Sequence, residues 1–412
     1  MQRNNAYLLS KMDGRLAFFV YLCDMKMFLT ALLCCCSLAN ATARSWHAAP
    51  SGRANAVGNQ TDPMDIYTAV HQLHGGDSLL LSPDTFYLSQ GLVINVSSTN
   101  DCPTYIGTSQ GEGHAVLDFR NQPHFKNGVT LKGDYIHLTR LNICYAGYKG
   151  LLNEGSHNRM EQLDIYGNCD SGMQQKGGYD NLIIDCDSHD NFDYMTGSLE
   201  AADWGGNADG FADKQYAGSP GNTYIRCRAW NNSDDGWDFY QRVGGTTRFI
   251  ECECRDNGPR EYDLTLHPRR HTDHAFLDQF AGKGIVIKLK PNKNQPEAQQ
   301  KEVCCSLAHF YNNGNGNGFK LGGAGTKHDV ELTHCVAQGN STKGFDQNSN
   351  AGHMTLLDCQ AEKNGQNYGF YNDNGYTLTI KNCTSTDGGK PDTFKGRKIE
   401  QVGNSWQNTS KL

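Results

Sequence analysis

The chain has 412 residues, with 37 lysines and arginines against 44 aspartates and glutamates, a net charge of −7. This balance argues against a nucleic-acid-binding protein, which needs a basic stripe to neutralise phosphates. The 46 glycines, 11 prolines and 19 tyrosines indicate many short strands and little helix. We expect the connecting turns to use glycine and asparagine for left-handed backbone.

Residues 25–43, MKMFLTALLCCCSLANATA, have the pattern of a secretory signal peptide. A lysine precedes an apolar run, and Ala41 and Ala43 fit the small-residue site that signal peptidase cleaves. The apolar run is too short to span a membrane, so we expect it to be removed and not to act as an anchor. The sequence therefore predicts a secreted, extracellular protein.

A repeat of about 25 residues organises the second half of the chain. A glycine followed by an aromatic residue recurs at Gly210, Gly236, Gly318, Gly344 and Gly369. Short alternating runs between these glycines are typical of strands that stack coil upon coil in a solenoid. The sequence lacks the framework of leucine-rich repeats, and propeller blades need longer units. We therefore predict an all-β, single-stranded right-handed parallel β-helix.

The repeat divides the chain into four predicted parts, which are an extension with signal peptide, a cap with the first coils, the β-helix catalytic domain and a C-terminal tail. Their boundaries are 1–43, 44–100, 101–395 and 396–412. The wide gap between Gly236 and Gly318 predicts one or two coils and a long polar loop inserted within residues 255–303. The loop includes HPRRHTDH at residues 267–274, which we interpret as a solvated segment, with a second binding surface as the alternative.

Twelve of the 16 cysteines lie beyond the signal segment, and some disulfides are expected in an oxidising compartment. Six of them share one position of the repeat. We interpret this column as small apolar side chains facing inward, and disulfides between adjacent coils are the alternative. The spacings do not predict a zinc site. The six are Cys186, Cys227, Cys252, Cys335, Cys359 and Cys383.

Four aspartates converge on neighbouring coils. Asp209 and Asp235 each precede a repeat glycine, so they stack about 4.8 Å apart, and strand alternation brings Asp238 to the same side, beside Asp234. Carboxylates so close repel each other unless a cation lies between them. An oxygen-only set favours Ca²⁺ over zinc. The alternatives are turn-forming aspartates and a Ca²⁺ that only staples two coils.

Lys320 occupies the repeat position of Asp238 on a later coil. We expect it two or three coils away, roughly 10 to 14 Å along the same face. Ca²⁺ on the aspartates and an amine on the same face suit an acidic polysaccharide. The cation would acidify the C5 hydrogen of a uronate, and the amine would remove it as the base of a β-elimination.

Residues 207–240, with NADGFADK and NNSDDGWDFY, and 315–323, NGNGFKLGG, resemble the family-nine polysaccharide lyases, which are secreted pectate lyases with a parallel β-helix fold. The resemblance implies Ca²⁺-dependent cleavage of α-1,4-linked galacturonan to 4,5-unsaturated oligogalacturonides. It implies that Asp209, Asp234, Asp235 and Asp238 bind Ca²⁺ and that Lys320 abstracts the proton. We expect a monomer that acts on pectin or polygalacturonate and binds neither nucleic acid nor membrane.

Two other functions fit parts of the pattern. Polygalacturonase-like inverting hydrolases share the architecture, and Asp234 and Asp235 could serve as their acid and base. Such enzymes also carry Gly-His-Gly and Arg-x-Lys after the aspartates, and this sequence has neither there. A non-catalytic, Ca²⁺-stapled β-helix that binds glycans is the second alternative, and it gives Lys320 no task.

Overall fold

In the computed structural model, strands of two to nine residues stack in parallel, and the predicted parallel β-helix is confirmed. The structure describes residues 43–108, 111, 113–196, 204–216, 218–241, 244–282, 284–289, 302–371 and 376–407. The predicted signal peptide lies outside them, except for Ala43. Residues 44–412 form one compact unit. No helix within the described ranges is long and apolar enough to cross a membrane.

Two parallel sheets carry the coils of the described residues. The larger has twenty strands, Ser45–Ala48, Ser78–Leu81, Thr85–Tyr87, Thr104–Gly107, Ala115–Asp118, Ile136–Cys144, Arg159–Tyr166, Leu182–Ile184, Asp187–His189, Thr223–Ile225, Arg228–Trp230, Thr246–Ile250, Glu253–Arg255, Asp329–Thr333, Val336–Gln338, Met354–Leu357, Gln360–Glu362, Thr377–Lys381, Thr384–Thr386 and Lys398–Val402. The smaller has ten, Leu92–Ile94, Val129–Leu131, Leu151–Asn153, Met173–Lys176, Phe211–Lys214, Trp237–Asp238, Phe319–Lys320, Lys343–Asp346, Gln366–Phe370 and Thr393–Phe394. Parallel pairing extends to Val402, beyond the boundary at 395.

Helix is scarce, as the composition predicts. An α-helix at Ile66–Gln72 begins at Asp65, whose carboxylate accepts a hydrogen bond from the Thr68 N–H. This side-chain cap satisfies one of the free amides of the first turn. A second α-helix, His274–Leu277, and 3₁₀ turns at Asp278–Phe280 and Ser405–Gln407 complete the helical segments of the described residues.

Stacked aromatic rings fill the interior behind the ten-stranded sheet. Phe211, Trp237, Phe319 and Phe345 lie one above another with ring centres 4.6 to 5.1 Å apart. The last ring of this column is Tyr368, although the glycine repeat places Phe370 there, so the alignment is wrong by two residues at this coil. Aromatic residues flank Gly369 on both sides and both are fully buried, and the hydroxyl of Tyr368 donates to two backbone carbonyls.

One corner of each coil does not rely on glycine, contrary to the composition argument. Its left-handed residue has φ between 50° and 57° and is Arg140, Gln162, Asp185, Arg226, Glu251, His334, Asp358 or Asn382. A second left-handed residue follows five positions later, and there glycine or asparagine does occur, at Gly167, Asn231 and Gly339. Left-handed backbone costs residues other than glycine about 1–2 kcal/mol each. The sheet offsets that cost, because the corner N–H still donates to a carbonyl of the next coil, as Asp185 does to Ile225.

The predicted cysteine column is confirmed, and its position follows from these corners. From Asp185 onward, the residue after each corner is one of the six column cysteines, and all six are fully buried. None of the twelve cysteines in the described residues is bridged, so the expectation of disulfides is wrong for this part of the chain. Each thiol faces the interior and donates to a carbonyl, as Cys227 Sγ does to Ile225 O at 3.5 Å.

A buried asparagine ladder runs beside the ten-stranded sheet, and the sequence argument missed it. Each side-chain N–H₂ donates to the amide oxygen of the next member at 2.8 to 3.0 Å, through Asn168, Asn191, Asn232, Asn257, Asn340, Asn364 and Asn367. Five members lie five residues after a column cysteine, a spacing that could have revealed the ladder. The ladder fixes the turn from which the strand Trp237–Asp238 begins.

The inserted segment adds no coil. Strand Glu253–Arg255 pairs directly with Val336–Gln338, and Trp237–Asp238 pairs with Phe319–Lys320. The prediction of one or two extra coils is therefore wrong. The segment leaves one coil and returns to the same coil. In between it forms two antiparallel strand pairs, Glu261–Tyr262 with Phe310–Tyr311 and Ile285–Lys288 with Glu302–Cys305.

Arg269, in the HPRRHTDH motif, anchors this segment and is fully buried. Its guanidinium binds both Asp273 carboxylate oxygens at 2.8 and 3.1 Å and donates to the carbonyls of Phe119, Gln122 and Tyr145. All five N–H donors are thereby used. The interpretation of the motif as a solvated loop is wrong for these two residues, because the carbonyls that Arg269 binds are brought together only by the fold.

We expect the stability of the protein to fall between about pH 6.5 and 9 through His189, which stacks between Tyr166 and Trp230. Burial opposes charge on this ring, but hydrogen bonds to Asp164 and Asp190 outweigh it and raise the His189 pKa to about 9. A raised pKa stabilises the fold below the unfolded value of about 6.5, and this contribution is lost as the pH passes 9. With solvent screening we expect about 1–2 kcal/mol.

The measurement is denaturant unfolding of wild type and His189→Gln at about pH 6 and pH 10. Loss of ring packing lowers the stability of the variant at both pH values. The diagnostic quantity is therefore how much the difference in unfolding free energy between wild type and variant changes from about pH 6 to pH 10. An equal difference at the two pH values would contradict the assignment of charge to His189.

Candidate active site

The five predicted site residues lie together, with Asp238 and Lys320 in strands of the ten-stranded sheet and the other three aspartates in the turns that lead into it. Asp238 and Lys320 are direct partners on neighbouring strands, so the expected separation of two or three coils is wrong. The inserted segment is responsible, since it lengthens the chain between them without lengthening the stack. Lys320 Nζ is 2.9 Å from Asp235 Oδ2 and 3.3 Å from Asp238 Oδ1.

The backbone of the repeat glycines sets this arrangement. The N–H of Gly210 donates to Asp235 O, and the N–H of Gly236 donates to Asn317 O. The residue before each glycine therefore stacks on its counterpart in the next coil. A Cβ on Gly236 would lie 2.7 Å from Cys254 Sγ and 2.7 Å from a backbone oxygen, so no larger residue fits this close approach.

The carboxylates are withdrawn from solvent. Asp209, Asp234, Asp235 and Asp238 are each at most 7% exposed. Oxygens of Asp209, Asp234 and Asp235 lie within 4.8 Å of one another. Burying several anions at such distances is unfavourable without compensating cations or donors.

Burial and mutual repulsion dominate the electrostatics of the cluster. Burial, and then the charges of the other three aspartates, hold the pKa of Asp209 well above its usual value. Burial and Asp235 do the same to the pKa of Asp234. For Asp238 the nearby Lys320 and Lys214 overcome the effect of burial and lower the pKa. The cluster is short of positive charge around Asp209 and Asp234.

The pKa of Lys320 is raised well above its usual value. Burial alone would lower the pKa of this amine, but the charges of Asp235, Asp238, Asp234 and Asp209 outweigh burial. The Lys320 amine therefore stays protonated while the carboxylates carry no other cation. In this state Lys320 is an ammonium group that neutralises Asp235 and Asp238.

The returning end of the inserted segment supplies donors to the cluster. The N–H of Asn315 donates to Asp234 Oδ1 at 2.5 Å, and both the N–H and the Nδ2 of Asn317 donate to Asp235 Oδ1 at 2.7 and 2.8 Å. The Asn317 Oδ1 atom is buried and has no hydrogen-bond partner among the described residues. Asn317 precedes Gly318, just as Asp209 and Asp235 precede their repeat glycines. This repeat position could have identified Asn317 as a site residue, but Asn317 is not among the predicted ones.

Lys214 and Tyr240 complete the site, and the sequence argument missed both. Lys214 Nζ binds Asp238 Oδ2. The Tyr240 ring lies 5.9 Å from Lys214 Nζ and 5.7 Å from Lys320 Nζ, within the range of cation–π contacts. The two lysines thus flank one carboxylate and one ring at the floor of a cleft of about 380 Å³.

These residues fit a bound Ca²⁺. Ca²⁺ takes six to eight oxygen ligands in flexible geometry, and the cluster offers four carboxylates and the unpartnered amide oxygen of Asn317. The raised pKa values of Asp209 and Asp234 are those of buried anions that lack a cation. The absence of sulfur and imidazole from this donor set disfavours zinc.

A wider depression of about 720 Å³ lies on the twenty-stranded sheet, around Asp185 and Asp187. Its carboxylates already have cations, since Asp185 pairs with Arg226 at 2.6 Å and Asp187 pairs with Arg228. Exposed pairs of this kind are solvated and contribute little. We therefore place the functional site at the buried cluster and not at the larger depression.

Comparison with known proteins agrees with the fold. The sequence model of the family described as "Pel9A-like, right handed beta helix region" matches residues 46–272 and 298–390. Pectate lyase L of Dickeya dadantii (strain 3937) is 31% identical over 342 residues, which cover 80% of this chain and 67% of that protein. Pectate lyase L of Paenibacillus polymyxa (strain SC2) is 28% identical over 88% of this chain and 72% of its own length.

The crystal structure of pectate lyase Pel9A superposes with a TM-score of 0.67 and 28% identity, covering 89% of this chain and 81% of Pel9A. Fold and sequence together define a right-handed parallel β-helix of the polysaccharide lyase class. The chain belongs to the Pel9A-like family, the family-nine polysaccharide lyases, which confirms the resemblance seen in the sequence.

Proposed function

We propose that the protein is a Ca²⁺-dependent pectate lyase that cleaves α-1,4-linked galacturonan by β-elimination and releases 4,5-unsaturated oligogalacturonides. One observation carries the proposal: the amine of Lys320 lies 2.9 Å from Asp235 and 3.3 Å from Asp238, within a buried group of four carboxylates. Relatives named pectate lyase support the substrate class.

Each residue of the group has a part in this reaction. The aspartates Asp209, Asp234, Asp235 and Asp238 hold Ca²⁺, which when bound supplies charge that acidifies the C5 hydrogen of a uronate. Lys320 takes that hydrogen as a proton, and the electron pair left on C5 forms the C4–C5 double bond as the bond to the leaving oxygen breaks. Lys320 can act only once the carboxylates have another cation, because they otherwise keep its amine protonated.

The geometry supports a lyase better than an inverting hydrolase. Inverting hydrolases keep their two carboxyl groups about 6.5 to 9.5 Å apart to admit a water molecule. The oxygens of Asp209, Asp234 and Asp235 lie within 4.8 Å of one another, and Asp235 is fully buried. A glycan-binding module would not need the amine of Lys320 at this point.

We further propose that the enzyme works outside the cell, on the acidic polysaccharide as its partner and as a monomer. The signal-peptide pattern of residues 25–43 supports secretion. A net charge of −7 supports a need for Ca²⁺ in bringing the polyanionic substrate to the site, since like charges repel.

The decisive experiment follows ultraviolet absorbance of conjugated 4,5-unsaturated uronates while purified protein acts on polygalacturonate. We expect the absorbance to rise with Ca²⁺ and to stop with EDTA. Highly methyl-esterified pectin should react more slowly, since the ester removes the carboxylate charge that Ca²⁺ binds. New reducing ends without absorbance would indicate a hydrolase, and binding without either signal would indicate a glycan-binding module.

A further inference from the structure

We propose that the ten-stranded sheet carries a row of uronate subsites, one at the carboxylate cluster and one on each side of it, each built from one lysine, one aspartate and one tyrosine. The inference rests on the proposed pectate lyase function and adds the residues that hold the polysaccharide chain. The groups are Lys149 with Asp170 and Tyr148, Lys214 with Asp238 and Tyr240, and Lys343 with Asp346 and Tyr371.

The first group lies on the N-terminal side of the cluster. Lys149 Nζ is 2.8 Å from Asp170 Oδ1 and 3.6 Å from the centre of the Tyr148 ring. Lys149 and Asp170 are nearly buried, and Tyr148 is half-buried. All three line the same cleft as the carboxylate cluster, so a chain seated on the cluster continues onto them.

The third group repeats this geometry on the C-terminal side. Lys343 Nζ is 2.9 Å from Asp346 Oδ1 and 5.0 Å from the centre of the Tyr371 ring. Tyr371 is 46% exposed, and its hydroxyl donates to Gln366 Oε1, which fixes the ring on the sheet. Asp346 lies beside Lys320 on the next strand, so this group directly continues the site.

The register places the outer lysines at equal distances from the cluster. The residue before the glycine of each coil forms one column, made up of Lys149, Ser171, Asp209, Asp235, Asn317 and Lys343. Lys149 is two coils before Asp209, and Lys343 is two coils after Asp235. Each therefore lies about 10 Å from the cluster along the axis of the helix.

The three groups share the chemistry that a uronate needs. A pyranose ring has an apolar C–H face that packs on an exposed tyrosine, and an ammonium group that gives one N–H to an aspartate keeps two for a substrate carboxylate. The aspartate holds the lysine in place when no substrate is present. The occupant is therefore an acidic polysaccharide that runs along the stack of coils.

The test compares Tyr148→Ala and Tyr371→Ala with Tyr148→Phe and Tyr371→Phe. We expect each alanine variant to raise KM for long polygalacturonate about tenfold with kcat within twofold, since loss of uniform binding affects KM alone. The phenylalanine variants, which keep the ring, should stay within about threefold of wild type. A trimer too short to reach the outer groups should be cleaved equally by all variants.

Tyr87→Ala is the matched control, because this tyrosine is 63% exposed and carries Arg120 over its ring on the other sheet. Affinity electrophoresis in gels containing polygalacturonate measures binding independently of cleavage. Unchanged KM and unchanged retardation in both alanine variants would overturn the subsites while leaving a cleaving wild type as a pectate lyase. Reduced retardation without cleavage by the wild type would support the subsites and reject the lyase reaction.

Discussion

Replacement of Lys320 by arginine is expected to lower kcat on polygalacturonate by about 10²- to 10⁴-fold, the usual contribution of a general base. The guanidinium can still pair with Asp235 and Asp238, which Lys320 contacts at 2.9 and 3.3 Å. It cannot lose its proton near neutral pH, so it cannot accept one from C5. The measurement is the initial rate of product absorbance at saturating Ca²⁺.

The arginine variant separates chemistry from stability. Lys320→Met would leave buried carboxylates without their partner, and a loss of activity could then reflect a disturbed fold. Lys176→Met is the matched control, because Lys176 lies on the same sheet with its side chain half exposed. An arginine variant that keeps more than about a third of wild-type activity would exclude Lys320 as the base.

The fold can be predicted from the sequence because each repeat has the same residue types at the same positions, in addition to a regular length. A glycine that admits the neighbouring backbone, an inward aromatic residue and an inward cysteine each recur once per coil, and stacking follows from these three alone. The left-handed corners at Arg226 and Glu251 escape such reasoning, since nothing in either side chain marks the conformation. Hydrogen bonds of the neighbouring coils impose it.

The residues predicted for the site do lie together in the fold, whereas their predicted spacing is wrong. Strand period and coil stacking bring Asp209 and Asp235 together without further information. The distance to Lys320 depends on whether residues 255–303 add a coil or leave one and return, and local sequence cannot decide between these. The anchor that decides it, Arg269, binds carbonyls of Phe119 and Tyr145 more than 120 residues away in sequence.

Replacement of Asp209 by asparagine is expected to stabilise the Ca²⁺-free protein and to weaken Ca²⁺ binding at the same time. Burial and three neighbouring carboxylates raise the pKa of Asp209, so its charge at neutral pH destabilises the fold. The amide can still accept the hydrogen bond from the Asp235 N–H. Removing the charge should raise Tm by about 2–4 °C in EDTA at about pH 8, which corresponds to roughly 1 kcal/mol.

The sign of this effect depends on pH. A raised carboxyl pKa gives a penalty above the unfolded value of about 3.8, and protonation removes the penalty as the pH falls through the folded pKa. The difference in Tm between variant and wild type should therefore shrink toward acid pH. Asp187→Asn is the control, because that carboxylate pairs with Arg228 on the other sheet and its loss should give no gain.

Ca²⁺ should reverse the order of stability. The wild type gains stability with added Ca²⁺ in proportion to the logarithm of its concentration over Kd. Asp209→Asn, which lacks one ligand, should need at least about tenfold more Ca²⁺ for the same rise in Tm, since even outer-shell changes cost 10- to 100-fold in metal affinity. Calcium titrations followed by thermal unfolding measure both quantities.

A variant that is less stable than wild type in EDTA, and equally stabilised by Ca²⁺, would show that Asp209 only maintains the coil. The expected crossing of the two stability curves would instead show that the cluster is built for a cation at the expense of the metal-free fold.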